Sequence, residues 1–331
     1  MRKLMKTFIK SIYNFKILLL LLCFTAAYTI TFTGCGKNST TPGESNNGKL
    51  SIVTTIFPYY DFTRQVAGDK ADIKLIVPAG MDTHSFEPVA SDMIDIGKAD
   101  IIIYNGGETE GWASQVLEAA SNKNIIAEKM IDYVETVTEK DVTGLHKDHN
   151  HSGTGETDEH IWTSPANAIT IVSKIADILS EVDKDNSGYY HDNASKYIKK
   201  LKEIDSKFRE IVNSSGKKQL LFADRFPLRY FVDEYGLDYN AAFAGCSSET
   251  EPSADIIAYL TDKAIDENIH VILKVELTSP KVADAIAETA GAKVMTFNTC
   301  HNVTKEQFDS GITYYDLMKE NTEVLKEALA E

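Results

Sequence analysis

The most regular pattern of apolar and polar residues in this chain lies over residues 186–214. Apolar or large residues recur there at steps of four and three, which is the spacing of one stripe along an α-helix, and charged residues cover the other side. At 1.5 Å per residue such a helix spans roughly 43 Å, and an average helix has only about 11–12 residues. We predict a rigid helix that joins two lobes; one long helix inside a single domain is the alternative. The stripe consists of Tyr190, Ala194, Tyr197, Leu201, Ile204, Phe208 and Ile211.

β-rich runs and amphipathic stretches alternate on both sides of this helix. Residues 50–165 contain four such runs, of which residues 100–104 are almost uniformly apolar, as in a strand buried on both faces. The same alternation returns over residues 215–331, with residues 166–214 as a helical connection. It predicts an α/β fold: two α/β lobes with parallel sheets, joined by the long helix. Lobes that face each other across a cleft place strand ends and loops there, which is the usual position of a ligand.

The first 34 residues are typical of a targeting segment. They contain five Lys or Arg residues and no acid, and their apolar core, residues 17–24, is too short to predict a transmembrane span. Residues 32–35, Phe-Thr-Gly-Cys, resemble a bacterial lipobox, which predicts a signal peptide over residues 1–34 and lipidation of Cys35. A plain signal peptide or an uncleaved anchor is the alternative. Residues 35–49 are polar and predict a flexible tether on the outer face of the cell membrane.

Charge and cysteine content narrow the classes of partner. Without the five basic residues of the leader, 29 basic residues face 49 acidic ones, a net charge of −20, so nucleic acid is not an expected partner. An acidic surface suits cations but also simply maintains solubility. Beyond Cys23 and Cys35, the chain contains Cys246 and Cys300, which an exported protein can pair in a disulfide. Two buried thiols or a metal contact are the alternatives.

Histidines are concentrated in loops of the first lobe. His84 follows the second predicted strand. Four of the eight histidines fall in one fifteen-residue stretch of the loop 144–160, beside several acids. Imidazole and carboxylate are the ligands of divalent transition metals, and a His-rich tract is a compositional metal signal. The spacing matches neither a zinc finger nor an HExxH protease. A polar insertion with chance histidines is the alternative. The loop histidines are His146, His149, His151 and His160.

Three segments of the first lobe together resemble the zinc- and manganese-binding lipoproteins of bacterial ABC transporters, which are solute-binding proteins. They are residues 79–88 (AGMDTHSFEP), 99–107 (ADIIIYNGG) and 158–165 (DEHIWTSP). The resemblance extends over roughly residues 50–331. It implies two α/β lobes joined by a long helix, with the metal in the cleft between them. It also implies a monomer that captures zinc, or alternatively manganese, and delivers it to an ABC permease.

The resemblance carries metal-ligand roles onto His84 and His160. The family's third ligand is usually a histidine shortly before a Tyr-Phe pair, but this chain has none there. Arg225 occupies the gapless position and cannot ligate a cation, so Asp224 is the expected ligand. The fourth ligand is usually an acid after the last strand, and His301 is the expected substitute. Glu276 and Cys300 are further candidates in the second lobe.

Zinc is the expected cargo because an imidazole-rich site favours zinc over manganese, which prefers oxygen ligands. The histidines of the 144–160 loop would then form a second, weaker metal site. Two other functional classes compete with metal delivery. One is a surface adhesin in which the metal is structural. The other is a zinc hydrolase, which needs an open coordination position and a general base. No nucleophile or oxyanion arrangement is visible in the sequence, so we predict that the protein is not an enzyme.

Overall fold

The structure, a computed structural model, describes residues 48–120, 122–139, 157–245 and 251–330. Within these ranges, the chain forms two four-stranded sheets, and every strand pairing in them is parallel. Helices follow most strands, as crossover connections between parallel strands require. The predicted fold class, two parallel α/β lobes with one long helix, is therefore confirmed.

The first sheet has the strand order β2-β1-β3-β4. Its third strand is buried along its whole length, as its apolar sequence predicted. The carboxyl ends of the strands lie at the same edge of a parallel sheet, so the loops that follow β2 and β4 leave from that edge. The strands are β1 Leu50–Thr54, β2 Ala71–Leu75, β3 Ile101–Tyr104 and β4 Ile126–Lys129.

The second sheet has the strand order β6-β5-β7-β8. The long strand β5 changes register against β6 between Phe222 and Arg225, a bulge that redirects side chains near its carboxyl end. The loop after β8 leaves from the same edge. The strands are β5 Gln219–Phe226, β6 Asp238–Ala244, β7 Val271–Lys274 and β8 Lys293–Thr296.

Ten α-helices accompany the two sheets within the described ranges. None of these helices combines the length and apolarity that a bilayer crossing demands. In chain order they are α1 Phe57–Ala67, α2 Ala90–Lys98, α3 Gly111–Ala119, α4 Pro165–Val182, α5 Ser187–Ser214, α6 Arg229–Tyr235, α7 Ala254–Asp266, α8 Lys281–Ala290, α9 Lys305–Asp309 and α10 Tyr314–Ala328.

Helix α5 is the long helix that the periodicity predicted. Every residue of the predicted stripe is buried, from Tyr190 to Ile211. These side chains belong to one hydrophobic core that also contains inner-face residues of both sheets, among them Ile52 of β1 and Phe222 of β5. Burial of each large apolar side chain contributes about 1.5–3 kcal/mol, so the stripe fixes α5 against both lobes.

A fully buried carboxylate, Asp61 of α1, connects three helices. Its Oδ2 accepts hydrogen bonds from the Tyr197 hydroxyl of α5 at 2.7 Å and from the Tyr314 backbone N–H of α10 at 2.9 Å. Its Oδ1 accepts one from Arg64 Nε at 2.7 Å. Hydrogen bonds to a buried charge are among the stronger ones in proteins, so Asp61 ties both ends of the chain to the long helix.

Candidate metal centre

Three histidines from different parts of the sequence converge at the carboxyl edges of the two sheets. One ring nitrogen from each of His84, His160 and His301 lies within 4.8 Å of the others. The ring centroids are 5.9 Å apart for His84 and His160, 5.3 Å for His84 and His301, and 5.6 Å for His160 and His301. Two nitrogens bound to one tetrahedral zinc lie about 3.4 Å apart, so a small inward rotation of the rings would bring all three nitrogens onto one ion.

His84 lies on the loop after β2, in a short 3₁₀ turn over Thr83–Ser85. The turn forms because Asp82 caps it, its Oδ1 accepting the His84 backbone N–H at 3.0 Å. The same loop is attached to the second lobe: Asn302 Nδ2 donates to the Pro78 carbonyl at 2.9 Å. His84 itself is half-buried.

His160 is buried and lies just before a 3₁₀ turn, Ile161–Thr163, that leads into α4. Asp158 fixes it twice, because Asp158 Oδ1 lies 2.9 Å from the His160 backbone N and 3.0 Å from its Nδ1. With Nδ1 hydrogen-bonded to a carboxylate, Nε2 is the nitrogen left for an ion. Gly245 permits the close packing of this ring, since a Cβ at that position would lie 3.3 Å from His160 Cε1.

His301 lies on the loop after β8. It directly follows Cys300, which has a positive φ of 61°. Its Nδ1 lies 3.1 Å from the Thr83 hydroxyl of the first lobe, which again leaves Nε2 for an ion. Glu276 Oε1 accepts the His301 backbone N–H at 3.2 Å. The Trp162 ring packs 4.7 Å from the His301 ring, centroid to centroid, and its Nε1 donates to the Thr299 carbonyl at 2.9 Å. Both lobes therefore hold this ring in place.

The three rings differ in protonation. Burial, followed by the charge of His160, lowers the pKa of His84 from 6.5 to about 4. Burial and the two other histidines lower the pKa of His301 well below its usual value. Burial would also lower the pKa of His160, but the Asp158 carboxylate outweighs it and raises that pKa. Near neutral pH two of the imidazoles are thus neutral, the form in which they bind metals.

The other expected ligands of the second lobe lie apart from this cluster. Asp224 is absent from the group of converging ligand atoms. Its carboxylate instead accepts hydrogen bonds from the Thr278 hydroxyl, from Val275 N at 3.3 Å and from Arg225 N at 2.9 Å. The expectation of Asp224 as a ligand is therefore not supported, because this carboxylate holds the loop after β7.

Cys300, the one cysteine among the described residues, does not belong to the cluster. Cys300 is buried with a free thiol, whose pKa burial raises, so it is a poor source of thiolate. Cys246, its possible disulfide partner, lies outside the described residues, as does Cys35. The loop histidines His146, His149 and His151 also lie outside the described residues.

Three supporting residues were not anticipated from the sequence: Thr83, Asp158 and Trp162. All three lie within two residues of His84 or His160, in the segments that resemble the family, and that adjacency was the available signal. Their effect is to fix ring orientation and the choice of nitrogen, which such neighbours commonly do in zinc sites. Three imidazoles around one point suit zinc, which binds nitrogen ligands in tetrahedral geometry and would take one further ligand.

Comparison with known proteins agrees with this geometry. The family described as zinc-uptake complex component A, periplasmic, matches residues 52–328. The high-affinity zinc uptake system protein ZnuA of Bacillus subtilis is 35% identical over 308 residues, covering 92% of this chain and 95% of that protein. The zinc-binding lipoprotein AdcA of Streptococcus pneumoniae is 33% identical over 285 residues and 85% of this chain, which spans only 56% of AdcA.

Solved structures show the same architecture. The metal-dependent lipoprotein YcdH of B. subtilis superposes with a TM-score of 0.70 at 33% identity, covering 85% of this chain and 99% of that one. The Zn(II)-bound ZnuA-like domain of S. pneumoniae AdcA gives a TM-score of 0.70 at 31% identity, covering 86% and 100%. With a family match over most of its length and a relative at 35% identity, the chain belongs to the family of periplasmic zinc-uptake component A proteins.

Proposed function

We propose that this protein captures a zinc ion outside the cytoplasm and delivers it to an ABC permease for uptake. The observation that carries the proposal is the convergence of His84, His160 and His301, with ring nitrogens within 4.8 Å of one another. Relatives that cover nearly all of the chain are described as zinc-uptake or zinc-binding proteins, which supports the same cargo. The lipobox-like Cys35 supports attachment of the protein to the membrane surface.

Zinc is favoured over manganese by the nature of the donors. Manganese prefers carboxylate and carbonyl oxygens, whereas imidazole suits zinc. The carboxylates nearest the site already serve other groups. Asp158 accepts from His160, and Glu276 accepts from Thr299 and His301. An all-nitrogen protein donor set therefore argues for the softer ion.

The carboxylate next to His160 in the sequence does not favour catalysis. A zinc hydrolase needs a carboxylate or imidazole free to act as a general base. Glu159, which adjoins a ligand in the sequence, is buried and accepts hydrogen bonds from Glu108 N, Thr109 N and the Thr109 hydroxyl. A carboxylate held in this way supports structure and is poorly placed to accept a proton from water.

The test is metal stoichiometry and competition on the full chain. We expect one tightly bound zinc ion, displaced poorly by manganese, and a loss of binding in each of His84→Ala, His160→Ala and His301→Ala. His270→Ala is the matched control, because His270 is exposed and lies outside the cluster. Unchanged zinc binding in any of the three cluster variants, or preference for manganese, would overturn the proposal.

A further inference from the structure

Helix α2 carries an apolar stripe on its solvent side. Ala90, Met93, Ile94 and Gly97 recur at steps of three, one and three, the spacing by which a surface helix normally faces the protein core. Here Ala90 is exposed, and Met93 and Ile94 are 48% and 54% exposed. The helix is instead attached to the first lobe through Ile96, its only buried residue. The stripe therefore has the pattern of a buried surface but faces solvent.

The described part of the chain leaves this stripe uncovered. A Cβ added at Gly97 would have no heavy atom within 4 Å, so the space beside the helix is open there. Single exposed apolar side chains are normal on a protein surface, whereas contiguous ones mark contact sites. Four of the seven large apolar side chains that are exposed in the described ranges lie within residues 81–94. We call this surface the α2 patch, which consists of Val89, Ala90, Met93, Ile94 and Gly97.

The α2 patch continues the segment that carries a metal ligand. That segment, residues 78–89, contains His84 and also Thr83, whose hydroxyl lies 3.1 Å from His301 Nδ1. Asp92 joins the end of the segment to the helix, because its Oδ2 accepts the Val89 backbone N–H at 3.0 Å. A molecule bound to the α2 patch is therefore coupled through the chain to the loop that positions His84.

The charge around the patch distinguishes between a membrane surface and a protein as its partner. Residues 75–97 contain four acidic residues and no Lys or Arg. Helices that lie on a membrane are rich in Lys and Arg, because the lipid surface is negatively charged. An apolar face bordered by acids instead suits a protein surface with an apolar hollow and basic side chains beside it. The four acids are Asp82, Glu87, Asp92 and Asp95.

The size of the patch fits a transient complex in the membrane. A helix of nine residues is about 14 Å long and about 10 Å wide, so its outer face is far smaller than the ~800 Å² per partner of a stable interface. This face alone would hold a second copy of the chain too weakly for a stable dimer. Lipidation of Cys35 would confine the protein to the membrane surface, since the fifteen residues of the predicted tether extend to at most about 50 Å. Such confinement raises the local concentration of a permease in the same membrane, so a weak contact suffices.

We propose that the α2 patch is the surface by which this protein docks on the extracytoplasmic face of its ABC permease. Met93 and Ile94 enter an apolar hollow of the permease, and the surrounding acids face basic side chains. Docking at this position brings the loop that carries His84 to the mouth of the permease. The inference rests on the delivery function proposed above.

The first test separates zinc capture from zinc delivery. In cells that depend on this chain for zinc uptake, Met93→Gln/Ile94→Gln should lower the uptake rate at limiting zinc by at least about tenfold, as loss of central apolar contacts does in other interfaces. Zinc affinity in chelator competition and the midpoint of thermal unfolding should equal those of the wild type, because both side chains are exposed. Ile265→Gln is the matched control, since Ile265 is 52% exposed on α7 of the other lobe, and it should leave all three quantities unchanged.

The second test identifies the partner directly. The full lipoprotein carries a photoreactive residue, Met93→benzoylphenylalanine, and intact cells are illuminated. The cross-linked product should contain the membrane-spanning subunit of the zinc ABC transporter, identified by mass spectrometry. Ile265→benzoylphenylalanine should give no such product.

The outcomes separate this inference from the function on which it rests. Wild-type uptake by Met93→Gln/Ile94→Gln would overturn the docking surface and leave zinc capture and delivery intact. The surface would equally be overturned by patch-dependent binding to protein-free vesicles of phosphatidylglycerol and phosphatidylethanolamine, or by a wild-type dimer that the double substitution dissociates. Weaker zinc binding by the double variant would assign α2 a structural role in the metal centre and would also overturn it. If the wild type binds no zinc, or uptake does not depend on this chain, the proposed function fails too.

Discussion

The carboxylate behind His160 offers the sharpest test of how the metal centre works. Asp158 and His160 are both nearly inaccessible to solvent, and one oxygen of Asp158 holds the ring Nδ1 at 3.0 Å and the backbone N at 2.9 Å. Asp158→Asn keeps the shape of the side chain and an oxygen that can accept a hydrogen bond. It removes the negative charge and replaces one acceptor oxygen by an NH2 group of similar size, so its effect reports on electrostatics and hydrogen bonding rather than on packing.

Two effects of this substitution oppose each other. Loss of a carboxylate behind a ligand histidine typically weakens metal affinity 10- to 100-fold, about 1.4–2.7 kcal/mol. The same carboxylate raises the pKa of His160, so in the wild type a proton competes with zinc for this ring more strongly as pH falls. Each pKa unit removed by the substitution relieves that competition by about 1.4 kcal/mol at low pH. The loss of zinc affinity should therefore be largest at alkaline pH and shrink as pH falls.

Chelator competition at about pH 8 and about pH 6, on either side of the usual histidine pKa, measures both effects. Asp192→Asn is the matched control, because Asp192 is exposed on α5, and it should leave zinc affinity unchanged at both values. Equal zinc affinity of Asp158→Asn and wild type at alkaline pH would refute the role assigned to this carboxylate. So would a loss that grows as pH falls.

Three further outcomes are expected. Asp61→Asn should lower the free energy of unfolding in urea by about 3–5 kcal/mol, since Arg64, Tyr197 and the Tyr314 N–H lose a buried charged partner. Burial raises the pKa of Glu110 from 4.5 to about 7, so the folded state binds the proton more tightly. Stability should therefore fall by about 3 kcal/mol as pH rises from 4.5 to 7, and Glu110→Gln should flatten that slope. Small-angle scattering should give the same radius of gyration with and without zinc, because α5 is buried against both lobes; a clear change would contradict a stiff connection.

The long helix and the two sheets could be predicted because each depends on a local pattern. The apolar stripe over residues 186–214 became the buried face of α5, Ser187–Ser214, and the uniformly apolar run near residue 102 became the buried strand β3. The end of β5 was harder to predict. Residues up to Phe226 continue the strand beyond its apolar run, because a bulge between Phe222 and Arg225 realigns it with β6. Such an irregularity depends on the neighbouring strand and has no local signal.

The candidate site was predictable in the first lobe and only partly in the second. His84 and His160 lie in motifs that resemble the family, and His301 was the expected substitute for the fourth ligand. Asp224 was the expected third ligand, because Arg225 at the aligned position cannot bind a cation and the carboxylate next to it can. The structure turns that carboxylate toward Val275 and Thr278. That orientation depends on contacts between segments about fifty residues apart, which spacing along the chain does not reveal.

The uneven anchoring of the three histidines indicates how an ion would leave. The His160 ring is hydrogen-bonded to Asp158, and the His301 ring to Thr83, whereas among the described residues the His84 ring has ring contacts but no hydrogen bond. The loop that carries His84 also carries Thr83, and it is attached to the second lobe through Asn302. Displacement of this one loop would thus withdraw one ligand and release the hydrogen bond that orients a second, without any bending of α5. Movement of residues 78–89 would therefore change metal affinity through two ligands at once.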